Sequence, residues 1–562
     1  MKLATLFKPV FLTIILINPL YSCSKTDGAT TKESPSKEIL ADISTTQSVV
    51  PVLTLKDQNT VLLINLKIKS VSKCVIKEIK LNFQGTTDLS DIAEIRVSYI
   101  GNDSTSLANR QFGDIMEPSS GMTFTDDLNL ADQTAFFKVQ VHLKDKLDLL
   151  HKINVSCESV ETDQGTVLNK ETAKHKGLRV GIALRQHGDN NVDTYRIPGL
   201  TTTANGTLLA VYDVRRRSNR DLQGDIDTGL SRSTDGGNTW EPMKIVLDKG
   251  TWGGLPEKFN GVSDPCILVD KNTNTIFVAG LWMYGVLDSN GKWIGGLTEA
   301  SSDWNHQWRD HGSQPGFDVK QTCQFLITKS TDDGQTWSEP TNLTEMCKNE
   351  KWWLWAPAPG HGIMLTDGTL VIPTQGRDEN GYSFSNITWS KDGGKTWTTS
   401  NMASRGTTEN MVAQLSDDSI MLNARDGKNK GNTSVTNGRV ISLTNDLGET
   451  WTEDPTSRRV LIEPACMASL HKHEYTENGQ KKSILLFSNP NSQTARDHMT
   501  IKVSFDDGKT WPEKYRMLLD AGKGRGYSCL TSIDEQTIGI LYEGSQSDLV
   551  FQKIALSDLI NK

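Results

Sequence analysis

The chain has no tryptophan ahead of Trp240, although it carries 14 of them in 562 residues. Its first part therefore lacks the commonest flat platform on which a sugar ring stacks. A positive excess is missing too: 60 Lys and Arg stand against 68 Asp and Glu, a formal net charge of −8. That balance argues against a broad nucleic-acid surface and leaves any anion recognition to locally placed arginines. Cysteine is scarce, and the eight present include no Cys-x-x-Cys pair and no His/Cys ligand spacing. Neither a metal centre nor a cofactor is expected. Apart from Cys23, the seven at Cys74, Cys157, Cys266, Cys323, Cys347, Cys466 and Cys529 are odd in number, so an oxidising compartment would leave at least one thiol unbridged.

The N-terminus carries a processing signal. Lys2 and Lys8 stand ahead of Phe11-Leu-Thr-Ile-Ile-Leu-Ile-Asn-Pro-Leu20, an apolar run too short to span a bilayer, so residues 1–22 read as a signal peptide. Leu20-Tyr-Ser-Cys23 resembles a bacterial lipobox, which implies lipidation of Cys23; a soluble secreted protein cleaved nearby is the other reading. Residues 23–44 are polar and suit a flexible tether. The chain is expected to be exported and held at the bacterial outer membrane by its lipid, periplasmic or surface-exposed, with no other membrane contact.

From 45 to 178 apolar residues alternate with polar ones, as in Thr60-Val-Leu-Leu-Ile-Asn-Leu-Lys-Ile68 and Phe136-Phe-Lys-Val-Gln-Val-His-Leu143. This period-two pattern predicts a β-sandwich, serving either to bind sugar or to lift the rest of the chain off a membrane. A boundary is expected near Lys176-Gly-Leu-Arg179.

The remainder is punctuated by one short pattern in five copies: Ser233-Thr-Asp-Gly-Gly-Asn-Thr-Trp240, then boxes of the same form beginning at Ser330, Ser390, Thr444 and Ser504. Ser/Thr and Asp side chains bond nearby backbone N–H groups and Gly supplies a positive φ, so each copy is a tight turn closed by Trp. Intervals of 97, 60, 54 and 60 residues fit one four-stranded propeller blade each, the longest being explained by an insertion around Asp288 to Lys320. Repeating units begin at Arg196, Ser263, Pro359, Glu409, Cys466 and Tyr527. The expected architecture is all-β: a six-bladed propeller over 179–562, closed by pairing of its C-terminal strands with the strand before Arg196.

Blade topology separates two faces. The start of strand one, the end of strand two and the start of strand three share one end, and the boxes occupy the other. The boxes are therefore structural. Arg196, Asp264, Glu409 and Tyr527 begin first strands, Arg215 and Arg425 end second strands, Asp221 follows in a loop, and Arg496 precedes a third strand. All converge on the face away from the boxes. Several arginines converging with few acids to neutralise them imply a carboxylate ligand, for which guanidinium forks are suited. Arg216, Arg217 and Arg220 are better read as surface or salt-bridged residues.

Tyr195-Arg-Ile-Pro198 followed by repeated Asp boxes resembles the bacterial exo-α-sialidases (neuraminidases) over about residues 180 to 560. The N-terminal region is similar to the accessory domain that precedes some of them. The resemblance implies that Arg196, Arg425 and Arg496 grip the carboxylate of sialic acid, and that Arg215 and Asp264 sit near the O4 and N-acetyl side of the sugar. It further implies Asp221 as acid/base, Tyr527 as nucleophile and Glu409 as its base, with Asp225 and Asp227 as close neighbours of Asp221. The implied activity is a monomeric, retaining hydrolase of terminal sialic acid on glycoproteins, glycolipids and oligosaccharides. A non-catalytic sialoglycan-binding lipoprotein and an intramolecular trans-sialidase are the rival readings. A binder would not need Tyr527, Glu409 and Asp221 together.

Overall fold

The computed structural model describes residues 41–561 apart from 70–72, 106–107, 131, 171–176, 223, 253–256, 286–305 and 307–312. The expected signal peptide, Cys23 and most of the tether lie outside the described residues, as do Lys176 and most of the insertion between Asp288 and Lys320. Among the described residues no helix is long and apolar enough to cross a membrane.

The N-terminal region is a β-sandwich. One antiparallel sheet orders Ala41–Thr46, Asn59–Ile68, Thr134–Leu143, Ile92–Gly101 and Arg110–Gln111, and the other orders Gly165–Leu168, Ser156–Thr162, Cys74–Asn82 and Gly121–Leu130. Strand periodicity drives the packing. Phe137, Val139 and Val141 of the first sheet and Ile76, Ile79 and Leu81 of the second point into one shared core. The tether ends earlier than expected, because Ala41–Thr46 is already an edge strand, paired from Ala41↔Ile68 to Thr46↔Leu63. Its one buried apolar side chain, Ile43, is too little alternation to mark a strand in sequence.

The boundary near 178 is crossed. Val52–Thr54 leaves the sandwich and pairs in parallel with Val180–Ile182, so apolar burial runs continuously from the accessory domain into the propeller.

From Thr194 onward, antiparallel strand sets follow one another. The first set is Thr194–Thr202, Leu208–Arg215, Ile226–Ser233 and Lys244–Leu247, and the second is Asn260–Asp270, Thr275–Tyr284, Gln324–Ser330 and Thr341–Asn342. In the third the leading segment is broken: Leu354–Pro357 and Ile363–Met364 pair with Leu370–Arg377, while Gly360–His361 between them pairs in parallel with Cys266 and Ile267 of the second set, and the segment begins ahead of the expected Pro359. Later sets lead with Thr407–Gln414, Ser469–Glu477 and Ser528–Asp534. Ser528–Asp534 packs on Ser469–Glu477 at one side and on Thr194–Thr202 at the other, so the circuit of leading strands closes. The last sheet is completed by Leu178–Arg185 against Leu549–Ala555, through Ile182↔Phe551 and Ala183↔Val550. N- and C-terminal strands thereby remove each other's open edge.

The boxes share one hydrogen-bond pattern. In the first, Ser233 Oγ donates to Asp235 Oδ1 (2.9 Å), Gly237 N–H donates to Ser233 Oγ (2.9 Å) and Thr239 Oγ1 donates to Asp235 Oδ2 (2.6 Å). The same bonds recur around Asp332, Asp392, Asp446 and Asp506. Box glycines allow close approach between neighbouring sets: Gly237 has φ +89, and a Cβ there would stand 2.3 Å from Phe551 of the last sheet. Trp240 packs edge-on against the same ring at 5.1 Å.

Candidate active site

At the end of the propeller away from the boxes lies a cleft of about 280 Å³, lined by Arg196, Asp221, Asp264, Glu409, Arg425, Arg496 and Tyr527 among others. Its other wall is apolar, formed by Leu222, Leu281, Leu354 and Ala356.

Local backbone irregularity aims these side chains. The register slips between Arg196 and Gly199, between Ser263 and Cys266, and between Thr407 and Asn410. Each slip falls at the start of a leading strand, where an extra residue turns a side chain out of the pleat. Ile197 (φ 59) and Asp264 (φ 56) occupy left-handed backbone, which is costly for such residues and characteristic of functional sites. Gly526 (φ +95) precedes Tyr527 because a Cβ there would lie 2.8 Å from Cys466 Sγ and 3.1 Å from Arg496 Cβ.

Tyr527 is buried and its Oη donates to Glu409 Oε1. Arg425 Nη1 lies 2.6 Å from Glu409 Oε2 and 3.2 Å from Tyr527 Oη. Burial and the Glu409 charge push the phenol well above its ordinary value, against the pull of Arg425 and Arg496. The guanidinium carbons of Arg196 and Arg496 stand 5.1 and 5.6 Å from the centre of the Tyr527 ring. Around the phenol the cleft thus gathers one hydrogen-bonded carboxylate and three guanidinium groups.

The arginines are better neutralised than expected. Arg196 makes a two-point pair with Glu543 (Nε to Oε1 2.8 Å, Nη2 to Oε2 3.1 Å), Arg425 pairs with Glu409, and Arg215 pairs with both Asp213 and Asp221. Only part of each fork is used by these partners, since a guanidinium has five donors. Arg496 differs, its Nη1 donating to the backbone oxygen of Arg525 (2.9 Å).

Arg215, expected beside the sugar, lies fully buried outside the cleft lining. Its side chain shares a strand face with Asp213 two residues earlier, and their pairing holds it below the surface, from where Nη2 reaches up to Asp221 Oδ1 at 2.6 Å. Desolvation works against ionisation of Asp221, but Arg215 and Arg196 together hold its carboxyl below the ordinary value. Asp264 moves the other way: burial first, then the neighbouring Asp213, Asp221 and Glu409 charges, raise its carboxyl well above the usual range. Two carboxyl groups of opposite tendency thus share one cleft. Asp225 and Asp227 are engaged by Arg217 (2.9 Å) and Arg216 (2.5 Å), and neither lines the cleft.

Sequence reasoning missed Glu543 and Asp213. Glu543 accepts from Arg196, from Ile197 N–H (3.1 Å) and from Tyr527 N–H (3.0 Å). A positional signal existed, for Glu543 follows the second strand Thr537–Tyr542 of its set, much as Arg215 and Arg425 stand near the ends of theirs. Gln375, Arg377, Ser383 and Thr408 also line the cleft and carried no such signal.

Residues 206–540 match the BNR repeat-like domain, and residues 41–166 match the N-terminal domain of BNR-repeat neuraminidase. A sialidase of Bacteroides fragilis is 40% identical over 504 residues, 88% of each chain, and a sialidase of Paraclostridium sordellii is 31% identical over 63% of this chain and 82% of its own. In structure, the Hadza microbial sialidase Hz136 superposes with a TM-score of 0.82 at 35% identity, covering 92% of this chain and all of its own. Domain order, strand sets and sequence agree along nearly the whole length, and the chain belongs to the BNR-repeat sialidase (neuraminidase) family, exo-α-sialidases of the glycoside hydrolase class.

Proposed function

We propose that the protein is a retaining hydrolase that releases terminal sialic acid from glycoconjugates, using a tyrosine nucleophile on a six-bladed propeller. The hydrogen bond from Tyr527 Oη to Glu409 Oε1, with Arg425 touching both, carries this reading. A sialic acid bears its carboxylate on the anomeric carbon, so a carboxylate nucleophile would approach a like charge. A phenol starts neutral, and sialidases are a recognised exception to the two-carboxylate rule for that reaction.

In the proposed sequence the unused donors of Arg196, Arg425 and Arg496 hold the substrate carboxylate and orient the ring. Tyr527 Oη forms a bond to the anomeric carbon as Glu409 takes its proton, while Asp221 gives a proton to the departing glycosidic oxygen. Water then enters, losing its proton to Asp221. It displaces Tyr527, which recovers its proton from Glu409. Asp221 must be protonated for the first half. The substrate carboxylate favours this by offsetting the Arg196 charge that lowers its value in the free protein. Asp264, whose carboxyl is raised well above the usual range by burial and by the nearby Asp213, Asp221 and Glu409 charges, is assigned the role of a hydrogen-bond donor to the sugar, with Arg215 supporting Asp221 from below.

Early-time proton NMR of the product from an α-sialoside tests this reading. Two displacements deliver the α-anomer first. Initial β-anomer would sink the covalent mechanism, and an anhydro sugar would identify an intramolecular trans-sialidase. Export and a lipid on Cys23 belong to the same proposal and rest on the short apolar run Phe11–Leu20 and on the likeness of Leu20-Tyr-Ser-Cys23 to a lipobox.

A further inference from the structure

On the propeller axis, at the end opposite the catalytic cleft, a second cavity of about 480 Å³ is lined by Thr202, Lys271, His361, Gln414, His471 and Ser532 among others. None of its residues serves the proposed reaction. Its histidines form a hydrogen-bond chain whose proton positions follow from the acceptors. A backbone oxygen accepts only, so the contact of His473 Nε2 with Glu535 O (3.1 Å) places a proton on Nε2. Burial lowers the His473 value, so the ring is neutral and its Nδ1 accepts from Ser532 Oγ (2.7 Å). Ser532 has one proton to give. Its oxygen must therefore accept from His471 Nε2 (2.8 Å), which leaves the lone pair of neutral His471 on Nδ1.

His361 repeats the logic. Its Nδ1 donates to Gly362 O (3.0 Å), and burial lowers its value to about 4, so its lone pair lies on Nε2. That atom is buried and has no hydrogen-bond partner among the described residues. An orphaned buried acceptor is costly, and native proteins rarely keep one without cause. The His361 and His471 rings stand 5.5 Å apart between centroids.

We propose that His361 Nε2 and His471 Nδ1 bind a divalent transition-metal ion, of the zinc or nickel type, at the rear mouth of the axis. Two neutral imidazoles at this spacing match one shared ion with metal–nitrogen bonds of about 2.0–2.1 Å. Each ring donates its other N–H to a fixed oxygen, the arrangement that orients metal-binding histidines. The cavity leaves room for water in the remaining coordination positions, and Glu474 and Asp534 in its lining offset the Lys271 and Lys472 charges. The ion would tie the segment Gly360–His361, which is paired to the second strand set, to Ser469–Glu477 of the fifth, and act on stability, not on chemistry.

Titrating metal-free protein with Zn²⁺ or Ni²⁺ in a calorimeter tests the proposal. One equivalent is expected to bind and raise Tm, with at least about tenfold weaker binding in His361→Gln and in His471→Gln, sialidase turnover being unchanged. No binding to the wild-type chain, or equal binding in both variants, overturns it. If a variant fails to fold, diethyl pyrocarbonate modification of the wild-type protein decides the matter by mass spectrometry. Metal should protect His361 and His471, and equal labelling with and without metal overturns the assignment.

Discussion

Arg196 and Glu543 join the two halves of the active site through one buried carboxylate. Glu543 is 1% exposed and holds the Arg196 guanidinium at two points, while also accepting the backbone N–H of Tyr527 (3.0 Å). Breaking such a pair leaves a buried charge without compensation, so Glu543→Ala should cost about 3–5 kcal/mol of stability in urea denaturation. Despite the opposing cost of burial, Arg196 depresses the folded-state value of Glu543 below 4.5. Its stabilising contribution is therefore complete above the unfolded value and lost as pH falls through the folded one. Acid unfolding followed by circular dichroism should show this loss in the wild-type protein and its absence in Glu543→Ala.

Replacing Tyr527 with Phe removes Oη while keeping the ring between Arg196 and Arg496. Turnover of a fluorogenic sialoside should fall by roughly 10³-fold or more, with binding of free sialic acid retained by calorimetry. Near-normal turnover in this variant would remove Tyr527 from the nucleophile role.

Arg496 offers the cleanest test of the carboxylate clamp, because its Nη1 donates to a backbone oxygen and not to a carboxylate. Arg496→Ala should weaken sialic acid binding by about 1.5–3 kcal/mol, the usual loss for a charged hydrogen-bond partner. Arg425→Ala would mix that loss with an uncompensated Glu409, 2.6 Å from its Nη1. Unchanged affinity for Arg496→Ala would exclude it from the clamp.

The boxes should behave as scaffold. Gly237→Ala places a Cβ 2.3 Å from Phe551 at a φ of +89, which should cost roughly 1–3 kcal/mol. Thermal unfolding should register that loss while kcat/KM stays at the wild-type value, since the box lies at the far end from the cleft. A fall in kcat/KM with unaltered Tm would contradict the structural role.

For the N-terminus, Cys23→Ala should shift the protein from the membrane fraction to the soluble one after cell lysis and ultracentrifugation. Retention in the membrane would rule out the lipid anchor.

The repeat grammar was legible because each box is local: Ser233, Asp235, Gly237 and Thr239 satisfy one another within a few residues, so their spacing alone specifies the turn. Knowing which end of each blade the boxes hold was enough to bring Arg196, Asp221, Asp264, Glu409, Arg425, Arg496 and Tyr527 to one face, and all of them line one cleft. What depended on long-range contact was not legible. Arg196 meets Glu543 across 347 positions, and nothing near either residue says which charge will face it. The same holds for Arg215, whose place below the cleft is decided by Asp213 and Asp221 competing for one guanidinium. Sequence by itself determined the fold class and the family, since periodic pattern and residue type are local properties. Tertiary structure alone decided which carboxylate partners which arginine and in which direction burial and charge move each acid, because charge pairing and desolvation depend on distances that only the closed ring sets.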